Sequence, residues 1–214
     1  MSLIFWYGSG SPFAWRVWLA LEHKGIAYEA RRLHFDKGEH RAPAFLAVNP
    51  RGKVPAISHD GWHLHESAVI LEYLEEAFPE PTLLPGNAHR RALARLVARE
   101  GDELLYPLLR RLVGQTLFKP AGDGDPAEIA AAREALAPEL ARLDAGLDGD
   151  WLAGELSLAD FTLYPFLRML RRIGERMEQH DAGALIGPRL AAWMGRIEAL
   201  PYYERTVPPH WRAG

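Results

Sequence analysis

The sequence contains no cysteine. That absence excludes a disulfide framework, a cysteine-ligated zinc or cluster and a Cys-x-x-Cys redox pair, so any thiol chemistry has to use a thiol carried in by a ligand. Long apolar runs are missing too. The hydrophobic stretches fall far short of the ~20 residues a membrane helix needs, and the run from Leu3 to Tyr7 has the length of a strand rather than of a signal region. Nor is there an excess of charge of one sign: 25 Lys and Arg against 28 Asp and Glu leave a formal net charge of −3, interspersed along the chain. No basic stripe for nucleic acid results. What is present is 214 residues, 48% of them hydrophobic, enough for one large or two small domains with real cores. The expectation is a globular protein of the cytoplasm, with neither nucleic acid nor membrane as a partner.

Residues 3 to 78 read as strand, helix, strand, helix, strand, strand, helix. Leu3 to Trp6 is the first strand, and Phe13 to Lys24 the first helix, stopped by Gly25. Ala27 to Leu33 is the second strand, and Pro43 to Leu46 a short helix ending before the turn cluster Asn49-Pro50-Arg51-Gly52. A strand follows Pro55, a hairpin at Asp60-Gly61 leads into Trp62 to His65, and a helix runs from Ser67 to Phe78. Pro79, Pro81 and Pro85 then mark a linker. Beyond it the periodicity is helical: Ala88 to about Leu117, Ala127 to Leu147, Ser157 to Ile173 and Pro188 to Ala199. The expected class is α+β, with a mixed domain over 1–78, a linker over 79–87 and an all-helical domain over 88–214.

Two motifs carry chemistry. In Lys53-Val54-Pro55-Ala56-Ile57 the proline has no N–H for a ladder, and the valine before it is pushed to extended geometry. X-Pro is also the common place for a cis bond, and a cis Val54-Pro55 would aim the Val54 N–H and C=O outward as an edge to which a short extended peptide could pair. Downstream, Glu66-Ser67 open the apolar-periodic segment Ala68 to Leu74. A helix N-terminus with a serine hydroxyl makes a carboxylate site, and Glu66 supplies a negative charge for an ammonium. An α-amino acid has both groups on one carbon. The plain alternative is a capping serine beside a solvated glutamate; the upstream Lys-Val-Pro favours binding.

Two further clusters read as structural. His59, His63 and His65 lie close together, but His63 and His65 alternate on a short strand beside a turn, which fits surface histidines better than a metal site. Ser157-Leu158-Ala159-Asp160 resembles a helix capping box, with Leu156 and Phe161 as its hydrophobic staple.

With these motifs in this order, residues 3 to 205 resemble a cytosolic glutathione transferase: a thioredoxin-like N-terminal domain with Val-Pro and Glu-Ser, a proline linker, and an all-α helical-bundle C-terminal domain with a Ser-x-x-Asp box. Ser11-Pro12-Phe13-Ala14-Trp15-Arg16-Val17-Trp18-Leu19-Ala20-Leu21 is similar to the opening of tau-class enzymes, and Trp15-Arg16-Val17 also resembles the zeta class. The stretch from Gly38 to Pro55 is similar to the theta class. Such a mosaic is common among bacterial members.

The resemblance implies glutathione as co-substrate, no metal, and a serine-type site. Matching Ser-Pro-Phe puts the catalytic hydroxyl on Ser11, with Ser9 and Tyr7 as competitors; Pro12 suits the first turn of a helix and favours Ser11. By the family's pattern His40 and Lys53 hold the glycyl carboxylate, the Val54 backbone before Pro55 pairs with the cysteinyl unit, and Glu66 and Ser67 take the γ-glutamyl end. Asp102 sits where a second-domain residue often reaches that end across a dimer interface, although a solvated helix aspartate fits equally. Arg16 reads as a core-edge arginine or an electrostatic helper. The implied electrophile pocket falls near Ser11, Phe13, Leu105, Tyr106, Leu109 and Tyr164. Homodimerisation is implied as well.

The function implied is conjugation of the glutathione thiolate to small hydrophobic electrophiles, as in detoxification, with reduction of organic hydroperoxides as a second outcome. The alternative is a glutathione-dependent isomerase similar to maleylacetoacetate isomerase, although that zeta class carries Ser-Ser-Cys where this chain has Ser11-Pro12-Phe13. Cysteine-dependent branches lack their residue. A third reading is a non-catalytic interaction protein that borrows the fold.

Overall fold

A computed structural model of the protein describes residues 2–120, 122–177 and 182–211. They form two compact units, one of residues up to 83 together with those from 200 onward, the other of residues 84–199.

The first unit is built on a four-stranded sheet of order β2-β1-β3-β4. Strand β1 (Leu3–Tyr7) alternates, with Leu3, Phe5 and Tyr7 on its buried face. Helix α1 (Pro12–His23) starts with Ser11 as its N-cap and Pro12 in its first turn, and Gly25 at φ 62° follows its end. The crossover returns the chain to β2 (Glu29–Arg32), parallel to β1. This exposed edge strand is shorter than the expected 27–33 because only its four central residues pair with β1. After the short helix α2 (Pro43–Leu46), β3 (Ala56–His59) runs antiparallel to β1, and β4 (Trp62–His65) antiparallel to β3. Helix α3 (Ser67–Ala77) then packs beside α1. This is the thioredoxin-like arrangement expected.

The end of α1 is locked to the start of the linker. The buried Lys24 ammonium donates to Glu75 Oε2 at 2.8 Å, Phe78 O at 2.7 Å and Pro81 O at 2.9 Å. Glu75 also accepts the Thr82 hydroxyl and the Leu83 N–H. A buried ammonium with three acceptors avoids the cost of an unpaired charge.

Every regular element described in the second unit is helical. Helix α4 (Ala88–Glu100) and α5 (Tyr106–Gln115) are joined by a π turn over Gly101–Leu105, closed by the Tyr106 N–H on Gly101 O. The single helical pattern expected from Ala88 is therefore one helix with a widened turn in it. Helices α6 (Pro126–Gly146), α7 (Leu158–Arg176) and α8 (Pro188–Glu198) complete the bundle. Ser157 and Asp160 sit at the start of α7 as the pattern indicates, but Asp160 does more than cap: its carboxylate takes the Leu152 N–H, the Ser157 N–H and hydroxyl, and the Trp193 indole N–H. Burial pushes this carboxyl above its ordinary value, against the pull of those donors.

Residues 200–211, which the sequence reading places with the helical domain, group with the first unit. Helix α9 (Tyr203–Thr206) packs on α1. Trp15 Nε1 donates to Thr206 Oγ1 at 2.9 Å, His23 bonds Tyr202 at 2.8 Å, and Arg205 pairs with Glu22 at 2.7 Å.

Burial alone pushes the Glu75 carboxyl up, but the Lys24 ammonium and the Thr82 and Leu83 donors more than reverse this, leaving it below its usual 4.5. A depressed folded-state value gives stability that is complete above the unfolded value and is lost as pH falls through the folded one. Glu75→Gln is therefore expected to be less stable than the native protein at neutral pH, with the gap closing as pH falls below about 4. Urea unfolding at a series of pH values measures this, and a constant gap would contradict it.

Candidate active site

The turn between β1 and α1 presents three hydroxyls, and their hydrogen bonds tell them apart. Ser11 has extended backbone (φ −71°, ψ 119°), and its Oγ accepts the Ala14 N–H at 3.3 Å, the N-cap bond of α1. Its hydroxyl proton has no acceptor among the described residues. Ser9 Oγ is instead bonded to His210 Nδ1 at 2.6 Å. Tyr7 is buried in the sheet face, its ring 4.7 Å from Trp18 and stacked 5.5 Å from Phe5. The three residues line one cavity of about 10 Å³, room for about one water. Arg16 is fully buried with its guanidinium 4.9 Å over the Phe13 ring, in keeping with the core-edge reading.

A chain of close contacts links this turn to the loop before β3. Gly8 has no room for a side chain, since a Cβ there would lie 2.3 Å from Cζ of Phe35. The Phe35 ring meets the His40 ring edge-on at 5.1 Å. His40 in turn lays its carbonyl over Gly52, whose φ of 60° and absent side chain admit it. His40 Nδ1 is buried without a hydrogen-bond partner. Asn49 holds the loop's shape, donating to Lys53 O at 2.6 Å and accepting the Arg51 N–H at 3.0 Å. The Lys53 side chain is exposed and has no ion pair among the described residues. The Val54-Pro55 bond is cis, and neither Val54 N–H nor Val54 C=O is hydrogen-bonded within the described residues. Val54 is anchored through its side chain on the cluster of Leu33, Phe45, Val48 and Ala56.

The hairpin supplies the last two residues. Ala56 pairs with His65, which brings Val54-Pro55 alongside Glu66-Ser67. Glu66 precedes α3 in an unusual conformation, φ 72° and ψ 108°, with its carboxylate exposed and making no capping bond. Such a backbone in a non-glycine residue costs on the order of 1–3 kcal/mol. Ser67 is the first residue of α3, 7% exposed, and its hydroxyl has no partner among the described residues.

His63 bonds Ser58 at 2.8 Å and His59 bonds Tyr73 at 2.5 Å. Among the described residues no group of three or more His, Asp or Glu could hold a metal ion. Asp102 lies in the π turn of the second unit, half-buried. Tyr164 is fully buried, 6.3 Å from the Trp193 ring and donating to Glu198 at 3.1 Å, so it belongs to the helical core. Residues that sequence reasoning missed are Phe35, Asn49 and His210. Asn49 carried the only usable signal, as the turn residue before Pro50; the other two act through contacts with no pattern in sequence.

The chain is similar to known proteins over most of its length. The pattern of the glutathione S-transferase N-terminal domain matches residues 10–77, and that of the C-terminal domain residues 126–196. Glutathione S-transferase A of Pleuronectes platessa is 30% identical over 96% of this chain and 91% of its own. Maleylacetoacetate isomerase of Pseudomonas aeruginosa is 44% identical over 50% of this chain and 51% of its own. Among solved structures, the theta-class glutathione S-transferase of Xanthomonas axonopodis pv. citri with glutathione bound superposes with a TM-score of 0.83 and 27% identity, covering 96% of each chain. The chain belongs to the glutathione S-transferase family; by sequence and fold it is a glutathione transferase.

The strained Glu66 backbone lends itself to a direct test. Glu66→Gly is expected to raise stability by roughly 1 kcal/mol, because glycine relieves the positive φ at a modest entropic cost. Denaturant unfolding of the ligand-free protein checks this, and a loss of stability would show that the carboxylate contributes to the fold.

Proposed function

We propose that the chain binds glutathione along the Val54 edge and activates its thiol with the Ser11 hydroxyl for conjugation to small hydrophobic electrophiles. One observation carries the reading: the groups around this site that have no partner among the described residues are complementary to the tripeptide. Val54 offers an N–H and a C=O to the cysteinyl unit. The Lys53 ammonium and the neighbouring His40 suit the glycyl carboxylate, and the Ser67 hydroxyl at the N-terminus of α3 with the Glu66 carboxylate suits the γ-glutamyl amino acid. Pro55 ends the edge before β3 begins.

The magnitudes are sufficient. A free thiol of pKa about 8.5 is only ~3% thiolate at pH 7, and lowering it by two units requires ~2.7 kcal/mol. One hydrogen bond to the charged sulfur contributes ~1.5–3 kcal/mol and the N-terminus of α1 ~0.3–1 kcal/mol. Ser11 therefore acts as a donor, neither deprotonated nor a nucleophile. The thiolate attacks, and the same thiolate serves hydroperoxide reduction. A cytoplasmic role in detoxification goes with this reading, because that compartment keeps glutathione reduced.

A second reading, glutathione-dependent isomerisation, is favoured by the 44% identity to maleylacetoacetate isomerase over half of the chain. The two differ in stoichiometry: conjugation consumes glutathione and isomerisation returns it.

The primary test is the ultraviolet thiolate absorbance of bound glutathione against pH. The native complex is expected to titrate about two units below the free thiol, and Ser11→Ala to return at least one unit toward it while still binding. Binding without any shift in the native protein would overturn thiol activation.

The chain is also proposed to pair with a second copy of itself. Arg90, Arg91 and Arg99 of α4 have partners within the chain, which leaves exposed leucines, Leu96 at 54% and Leu104 at 51%, as the apolar surface of that segment. Gel filtration is expected to give twice the 24.0 kDa of one chain; a peak at the single mass would remove the claim.

A further inference from the structure

The C-terminal residues bring an imidazole onto the turn that carries Ser11. His210 lies in the short 3₁₀ turn Pro209–Trp211, and its Nδ1 is 2.6 Å from Ser9 Oγ. The ring rests over Gly10, where a Cβ would come within 3.0 Å of His210 Cε1. The segment is anchored on α1 at both ends: Thr206 accepts the Trp15 indole N–H, and Trp211 meets the Trp15 ring edge-on at 5.3 Å. Thr206 and Pro208 close the same small cavity that Ser9 and Ser11 line.

We propose that His210 accepts the proton of the bound thiol, acting through Ser9 as a positioning residue for the charge that develops on sulfur. This rests on the glutathione reading of the site. In the step, the sulfur gives its proton to Ser9 Oγ while Ser9 passes its own hydroxyl proton to His210 Nδ1. One S–H and one O–H bond break, one O–H and one N–H bond form, and no oxidation state changes. The result is a thiolate facing two hydroxyl donors, Ser11 and Ser9, with an imidazolium behind Ser9.

The direction of the Ser9 hydrogen bond is what makes the relay work. While the imidazole is neutral and accepting, the Ser9 proton points away from sulfur, so Ser11 is the donor available to the ligand. Once Nδ1 is protonated it donates to Ser9 Oγ, and the Ser9 proton turns to the sulfur. Among side chains, imidazole is the one whose ordinary pKa lies nearest neutrality, which suits it to take up a proton and give it back. The titratable and charged groups on the packed elements are Tyr7 of β1, Arg16, Glu22 and His23 of α1, and Tyr203, Glu204 and Arg205 of α9. Arg16 lies over Phe13, Glu22 takes Arg205 and Tyr28, and His23 takes Tyr202. The group that faces Nδ1 from the turn is Ser9.

The test is nitrogen-15 NMR of histidine-labelled full-length protein at about pH 7.5, a unit above the ordinary imidazole value. Spectra are compared with glutathione and with S-methylglutathione, which has no thiol proton, and His210→Gln assigns the signal. Glutathione is expected to move His210 to the imidazolium shift and S-methylglutathione to leave it neutral. In parallel, His210→Gln, which keeps an acceptor for Ser9 but no base, is expected to raise the apparent pKa of the bound thiol by about one unit, a tenfold fall in the thiolate-to-thiol ratio at a given pH. A down-shifted thiolate with His210 unchanged, or an equal change with both ligands, overturns the proposal and leaves the Ser11 reading standing. No thiolate in the native complex overturns both.

Discussion

The register of the hairpin between β3 and β4 is the constraint on which the candidate site depends. Because Ala56 is opposite His65, the residues just outside the ladder on either strand, Val54-Pro55 and Glu66-Ser67, are neighbours. A one-residue slip would turn every side chain of β4 to the other face and carry Ser67 away from the Val54 edge. The positive φ of Glu66 belongs to the same constraint, since the chain turns there from strand into helix with no glycine to ease it. Backbone strain of this kind clusters at binding and active sites.

Around that hairpin the first unit divides its work by end. At the C-terminal end of α1, Lys24 and Glu75 tie the helix, α3 and the linker together through groups that have all found partners. At the N-terminal end the hydroxyl proton of Ser11, the amide and carbonyl of Val54 and the hydroxyl of Ser67 have none among the described residues. A fold satisfies its buried polar groups wherever stability alone decides. Here Ser11 and Val54 are only half-buried, so their open groups lie within reach of solvent or of a ligand.

The C-terminal residues join the two ends of this account. They leave the helical half, pack on α1 through α9, and finish on the Ser9–Ser11 turn through His210. The turn is thus braced from outside the βαβ unit that forms it, and Ser9 and Ser11 acquire different hydrogen-bond states although a single residue, Gly10, separates them. That difference is what distinguishes a hydroxyl free to donate from one already engaged.

Much was legible in the sequence because it rests on local physics. Pro12 after Ser11, Gly25 after Lys24, Asp60-Gly61 between two short strands and the Ser157 to Asp160 box are each a few residues acting on their own backbone, so element order, the hairpin and the helix starts follow from spacing alone. The residues proposed to bind the tripeptide were read from the same kind of local motif, with the family resemblance supplying their roles. What the tertiary structure decided is everything that joins distant positions. It routes the last residues to the first unit, gives Ser9 a histidine 201 positions away, presses Phe35 onto Gly8, and makes Asp160 the acceptor for Trp193 as well as a cap. None of these has a period or a motif, because contacts between elements are chosen by how buried surfaces fit and which polar groups are left to satisfy, and that is settled only when the chain is folded.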